Sequence, residues 1–341
     1  MKKSIFGKTK EGKDVTLYTL ENKNGMEISV LDFGAILHSV MLPDKDGGKT
    51  DVVLGCANVE DYYRDMNAFG STIGPNANRT AKAEAVIDGV TYRLIKNDGE
   101  NNLHTLTENG MNRRLWKAEA TDVSVTFSME LKDMEMNLPG NRKFQVTYTL
   151  TDNNEIRLDY YAVSDKNTMI NMTNHSYFNL RGHNSGSIME HEVWLNSDSY
   201  TEIGEGAIPT GRILSTNGTS LDFTVMKPII RDYDRNNAAC GYNFNHVIRD
   251  YKKGKLRQVS EVKENTTGRV LKVYSDLPGV HFYTAEWVKD APGKEGAVYQ
   301  AGCGLCMETQ YFPDYIHHPN FEQAIFGPGN DYRTTTIFQF I

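Results

Sequence analysis

Apolar and polar residues alternate with a period of two in stretch after stretch of this chain, and that period buries one face of a strand rather than one face of a helix. Val123, Val125, Phe127, Met129 and Leu131 form one such face. Phe144, Val146, Tyr148 and Leu150 form the next, and Ile156, Leu158 and Tyr160 follow across Asp152-Asn153-Asn154, which predicts a hairpin. A second hairpin is expected where Val86-Ile87 and Val90-Thr91-Tyr92 flank Asp88-Gly89, because a tight two-residue turn needs positive φ angles that this pair accepts. Strand-like runs continue over 28–42, 280–287 and 334–340, while helical periodicity is confined to a short stretch at 58–66. The pattern predicts an all-β chain.

At 341 residues the length alone allows two domains. No Pro/Gly/Ser linker, internal repeat or low-complexity tract divides the sequence, so one β domain over 1–341 is expected. The formal net charge of −7 and the lack of any Lys/Arg run exclude the clustered cations that a nucleic-acid partner requires. No stretch reaches the roughly 20 apolar residues of a membrane helix, and the opening MKKSIFGKTKEGKDV has no apolar segment after its basic start. Four cysteines are too few for a disulfide framework, which agrees with a reducing, cytoplasmic setting. Cys303-Gly-Leu-Cys306 has redox or zinc spacing, but no second Cys/His pair follows it, and it reads as two small strand residues. The sequons at Asn78, Asn171, Asn217 and Asn265 would matter only in a secreted chain.

Three segments carry ionisable or bidentate groups where alternation does not ask for them: Asn78-Arg79, Asn174-His175-Ser176-Tyr177 and Glu308-Thr309-Gln310. A histidine that titrates near neutrality can hand a proton to an oxygen while a carboxylate takes one from a hydroxyl. His175 and Glu308 thus form a candidate acid and base. Arg79 offers a planar fork of donors to vicinal hydroxyls, and His104 can add another hydrogen bond. Each residue alone also fits a plain role, the histidines bonded to buried carbonyls and the charges on the surface. Two histidines and a carboxylate also fit a facial triad for a non-haem metal, although no short His-x-His pairing anchors it.

Taken in order, these segments and others resemble the aldose 1-epimerase, or galactose mutarotase, family along nearly the whole chain. The resemblance rests on Phe33-Gly34-Ala35, Asp51-Val52-Val53-Leu54-Gly55 and the run Ile73-Gly74-Pro75-Asn76-Ala77-Asn78-Arg79. It continues through Asn102-Leu103-His104, the run from Asn174 to Leu180, Ile208-Pro209-Thr210-Gly211 and Leu221-Asp222-Phe223. Pro278-Gly279-Val280-His281-Phe282-Tyr283-Thr284 and the run from Glu308 to Asp314 complete it. It implies a large antiparallel β-sandwich, the mutarotase supersandwich, with a sugar site in a cleft and neither a metal nor an organic cofactor. It assigns His175 as the acid that protonates the ring oxygen and Glu308 as the base at the C1 hydroxyl. Arg79, His104 and Asn78 are implied as sugar-binding residues. The partner is then a small sugar, acted on by a monomer or homodimer.

Two positions depart from the family pattern. Asn243, in Gly241-Tyr242-Asn243-Phe244, stands where an aspartate is usual, and His281 stands where glutamine is common. Asparagine keeps an acceptor, loses the charge and gains two donors, so recognition of the sugar is expected to shift while the acid and base stay. An acid-base pair that works in both directions is also expected to have its pKa values drawn toward neutrality. Three other functions compete: a non-catalytic sugar-binding protein on the same fold, a hexose 6-phosphate 1-epimerase using Arg113-Arg114 for the phosphate, and a glycosidase, which would need a second carboxylate.

Overall fold

The structure is a computed structural model that describes residues 1–237 and 239–341. Three large sheets, antiparallel throughout, account for most of it. The first is a five-stranded meander in sequence order, Lys2–Lys8, Asp14–Glu21, Glu27–Leu31, Ile36–Pro43 and Lys49–Asp51. The second has nine strands in the order Lys117–Ala120, Ser124–Leu131, Arg142–Leu150, Glu155–Ser164, Tyr332–Phe340, Val270–Ser275, Arg257–Lys263, Glu192–Leu195 and Lys227–Pro228. The third has five, Pro209–Ser215, Ser199–Ile203, Asn243–Val247, Gly279–Tyr283 and Cys306–Gln310.

The expected alternation appears as burial. In Ser124–Leu131 the side chains of Val125, Phe127, Met129 and Leu131 are buried and those between them are not. Val123 departs from the expectation: it is 56% exposed, because it lies in the turn before the strand, which the Thr121 N–H closes by donating to Ser124 O. Arg142–Leu150 and Glu155–Ser164 form the expected hairpin, with Leu150 opposite Ile156. Asp88 and Gly89 take φ of 51° and 76° and close Glu84–Ile87 onto Val90–Arg93. The one α-helix among the described residues, Val59–Arg64, is capped by Asn58, whose side chain accepts the Asp61 N–H at 2.9 Å. The run expected over 28–42 is two strands, broken where Gly34 and Ala35 turn at positive φ, and the run at 280–287 stops at Tyr283.

One apolar cluster takes residues from all three sheets, among them Leu20, Ile28 and Val40 from the first, Phe127, Tyr148 and Phe338 from the second, and Phe244, Phe282 and Met307 from the third. The third sheet positions the site. Phe244, Val280, Phe282 and Met307 point into the shared core, so the alternate residues Asn243, Asn245, His281, Tyr283, Cys306, Glu308 and Gln310 point the other way. In register, Asn245 lies opposite His281 and His281 opposite Glu308.

Candidate active site

The polar face of the third sheet floors a cavity of about 370 Å³, within the usual range of small-ligand pockets. His175, Glu308, Arg79, His104, Asn78, Asn243 and His281 all line it, so the expected acid, base and sugar-binding residues are brought to one place. Glu308 occupies the centre of Cys306–Gln310 and is 1% exposed. His175 follows the short strand Thr173–Asn174, which pairs with Thr72–Ile73. Its backbone is pinned on both sides: its N–H donates to Ser71 O at 2.9 Å, and its carbonyl accepts the Gly70 N–H at 2.9 Å. Flanking polar side chains are structural. Asn174 Nδ2 donates to Gly70 O and Tyr148 OH, while Ser176 Oγ donates to Asn174 Oδ1.

His175 Nε2 lies 3.7 Å from Glu308 Oε1. Tyr177 stacks on the histidine ring at 5.0 Å between centroids, and His104 meets it edge-on at 5.2 Å. Burial disfavours whichever form carries charge, so it moves the two groups in opposite directions. It pushes the Glu308 carboxyl up to about 8 against a weaker downward pull from Arg79, and pushes His175 down to about 4. The expectation that both would be drawn toward neutrality is therefore wrong for His175, whose surroundings supply no anion strong enough to offset burial. Glu308 Oε2 is buried and has no hydrogen-bond partner among the described residues, so it is an acceptor left for a ligand.

Arg79 and His104 reach the cavity from a small two-stranded unit, Arg79–Thr80 paired with Asn102–Leu103. Asp98 accepts the Arg79 Nε–H at 2.8 Å, which fixes the guanidinium and leaves its other donors free to turn inward. Asn78 and His104 both take positive φ, 61° and 57°, and bond each other. The Asn78 N–H donates to His104 Nδ1 at 3.1 Å, and the His104 N–H donates to Asn78 O at 2.9 Å. Burial holds His104 neutral, so its single ring proton sits on Nε2. This bears on the metal reading. His104, His175 and Glu308 cluster closely enough to hold an ion, within 4.8 Å of one another. With Nδ1 of His104 engaged by a backbone donor and Nε2 protonated, that ring has no lone pair to give, and the set falls short of two histidines and a carboxylate.

The aldose 1-epimerase family model matches residues 16–339. The chain belongs to the aldose 1-epimerase family. Galactose mutarotase from Mus musculus is 35% identical over 344 residues, covering 99% of this chain and 98% of that one. Aldose 1-epimerase from Escherichia coli K12 is 35% identical over 338 residues, covering 97% and 96%. The crystal structure of an aldose epimerase homologue from C. elegans superposes with a TM-score of 0.88 at 28% identity, covering 95% of this chain and 98% of that one. The family's β-sandwich is the fold seen here.

Several residues of this family member's site carried no signal in the alternation. Asp98 orients Arg79 from a loop. Tyr177 and Tyr283 line the cavity, and Trp287, 63% exposed, and Met66, 80% exposed, stand at its rim. Cys306 is more than a small strand residue, since its Sγ lies 3.5 Å from His175 Nδ1. Arg113 and Arg114, the pair considered for a phosphate, do not line the cavity. Arg113 donates to Asp65 O, and Arg114 donates to Glu135 Oε1.

Proposed function

We propose that this chain is an isomerase that interconverts the α and β anomers of a free aldohexose such as galactose or glucose. The observation that carries the reading is the pair itself: a histidine and a carboxylate 3.7 Å apart, both buried, facing a cavity that also receives Arg79 and His104. In the ring-opening direction Glu308 takes the C1 hydroxyl proton and His175 gives one to the ring oxygen as the C1–O bond breaks. The pair passes from carboxylate and imidazolium to carboxylic acid and imidazole. Rotation about C1–C2 presents the other face of the aldehyde. Closure then returns both protons along the same two paths, so net proton content never changes. Arg79, His104, Asn78, Asn243 and His281 hold the hydroxyls and steady charge that develops on oxygen.

The low dielectric of the empty cavity favours the uncharged pair, which is the state that ring opening leaves behind. A bound sugar favours the ionic pair, because its hydroxyls supply the donors that Glu308 Oε2 lacks. Glu308→Gln and His175→Asn are each expected to slow anomer exchange, measured by polarimetry or NMR, by about 10²-fold or more. Exchange within a few-fold of the parent in either variant would remove that residue from its role. We also propose a cytoplasmic location, supported by four free cysteines. No helix among the described residues is long and apolar enough to cross a membrane.

A further inference from the structure

Three hydrogen bonds run in series along the cavity wall and fix the direction of each amide and ring in the series. The Arg79 backbone N–H donates to Asn78 Oδ1 at 2.9 Å, so the amide nitrogen of Asn78 is the end turned to His281 Nδ1, 3.4 Å away. His281 Nδ1 therefore accepts. Burial, reinforced by the nearby Arg79, pushes His281 down to about 3, so the ring is neutral and holds its one proton on Nε2. That proton is donated to Asn243 Oδ1 at 2.6 Å. Turning the Asn243 amide over would set its NH2 against this N–H. One lone pair of Asn243 Oδ1 is thus taken by His281, and the NH2, a donor of two hydrogens, is the larger share of what Asn243 leaves for a ligand in the cavity it lines.

We propose that Asn243 meets its ligand chiefly as a hydrogen-bond donor, through its NH2, so that the substrates extend from free aldoses to those whose group at Asn243 is an oxygen with no proton to give. A sugar carboxylate, as in a uronic acid, and a sugar ether both meet this description. A hydroxyl satisfies the NH2 by accepting. An ammonium, which can only donate, does not. Arg79 and the Nε2–H of His104 add two further donors to the same cavity, which suits an electron-rich substituent. The inference rests on the anomer-exchange reading and names a substrate class within it.

The test measures anomer exchange by NMR for the parent, Asn243→Asp and His281→Leu. The panel replaces each hydroxyl of galactose and glucose beyond C1 in turn by a methyl ether or an amine, and adds galacturonate and glucuronate to separate a carboxylate from an ether. The parent is expected to keep kcat/KM within about threefold for an acceptor-only group at one ring position and to lose at least about tenfold for the amine there. Asn243→Asp is expected to reverse that order. His281→Leu frees the amide to turn and is expected to bring the two within about threefold of each other, which also serves if Asn243→Asp does not fold. Equal treatment of ether and amine by the parent at every position, or an unchanged order in both variants, overturns the inference. If the parent fails to exchange unsubstituted galactose and glucose, the proposed function fails instead. Calorimetric binding of the same panel needs no turnover and still decides the polarity of Asn243.

Discussion

Burial keeps Glu308 protonated up to a pH of about 8 and His175 neutral down to about 4, so across that interval the empty site holds one proton between the two groups. One proton is what the reaction requires, since each direction moves a proton onto one group as it leaves the other. Below about 4 both groups are protonated and no base remains. Above about 8 both are deprotonated and no acid remains. kcat/KM is therefore expected to be flat between these values and to fall on each side, each limb approaching tenfold per pH unit. Arg79 pulls Glu308 downward, so Arg79→Gln is expected to move the alkaline limb to higher pH. An alkaline limb unmoved in Arg79→Gln would detach that limb from Glu308.

Between residue and fold lie the short elements that aim the acid and base. Gly70 holds φ of 67°, and a Cβ there would lie 2.2 Å from the Leu37 carbonyl oxygen. Its N–H is bonded to His175 O. Gly70→Ala is expected to lose more than about 1 kcal/mol of stability in urea titration and to slow anomer exchange in the folded fraction, because the segment that shifts carries the acid. An alanine variant with parental stability and rate would show that this turn does not position His175. The same elements show what alternation reveals and what it hides. Ser124–Leu131 has one wet face, so its core side is legible as Val125, Phe127, Met129 and Leu131. All five residues of Cys306–Gln310 are buried, Met307 in the apolar core and Glu308 on the cavity, so Met307 and Glu308 look alike by burial and only chemistry separates them. Asp98, Met66 and Trp287 come from turns and loops, where neither period applies, and their convergence is a product of the tertiary fold.

At the scale of the whole molecule, the order of the nine-stranded sheet binds the C-terminal end of the chain to its middle. The C-terminal strand Tyr332–Phe340 lies between Glu155–Ser164 and Val270–Ser275, so within this sheet the hairpins of the first half and the strands of the second meet only through it. The apolar cluster crosses all three sheets in the same way, and a second cluster joins the first sheet directly to the third through Val15, Leu31, Ile36, Tyr283 and Cys306. We therefore propose that residues 1–341 unfold as a single unit. Nature has placed the reporters: Trp116 is buried beside the first sheet, Trp194 lies in the nine-stranded sheet and Trp287 stands at the rim of the site. Urea unfolding followed through variants retaining one tryptophan each is expected to give a common midpoint, coincident with loss of β signal in far-UV circular dichroism. Deleting 332–341 would leave Leu158 and Val273 without the strand between them and is expected to abolish the transition altogether. Separate midpoints for Trp116 and Trp287, or a cooperative transition surviving the deletion, would divide the chain into independent units and detach the stability of the site from that of the sheet.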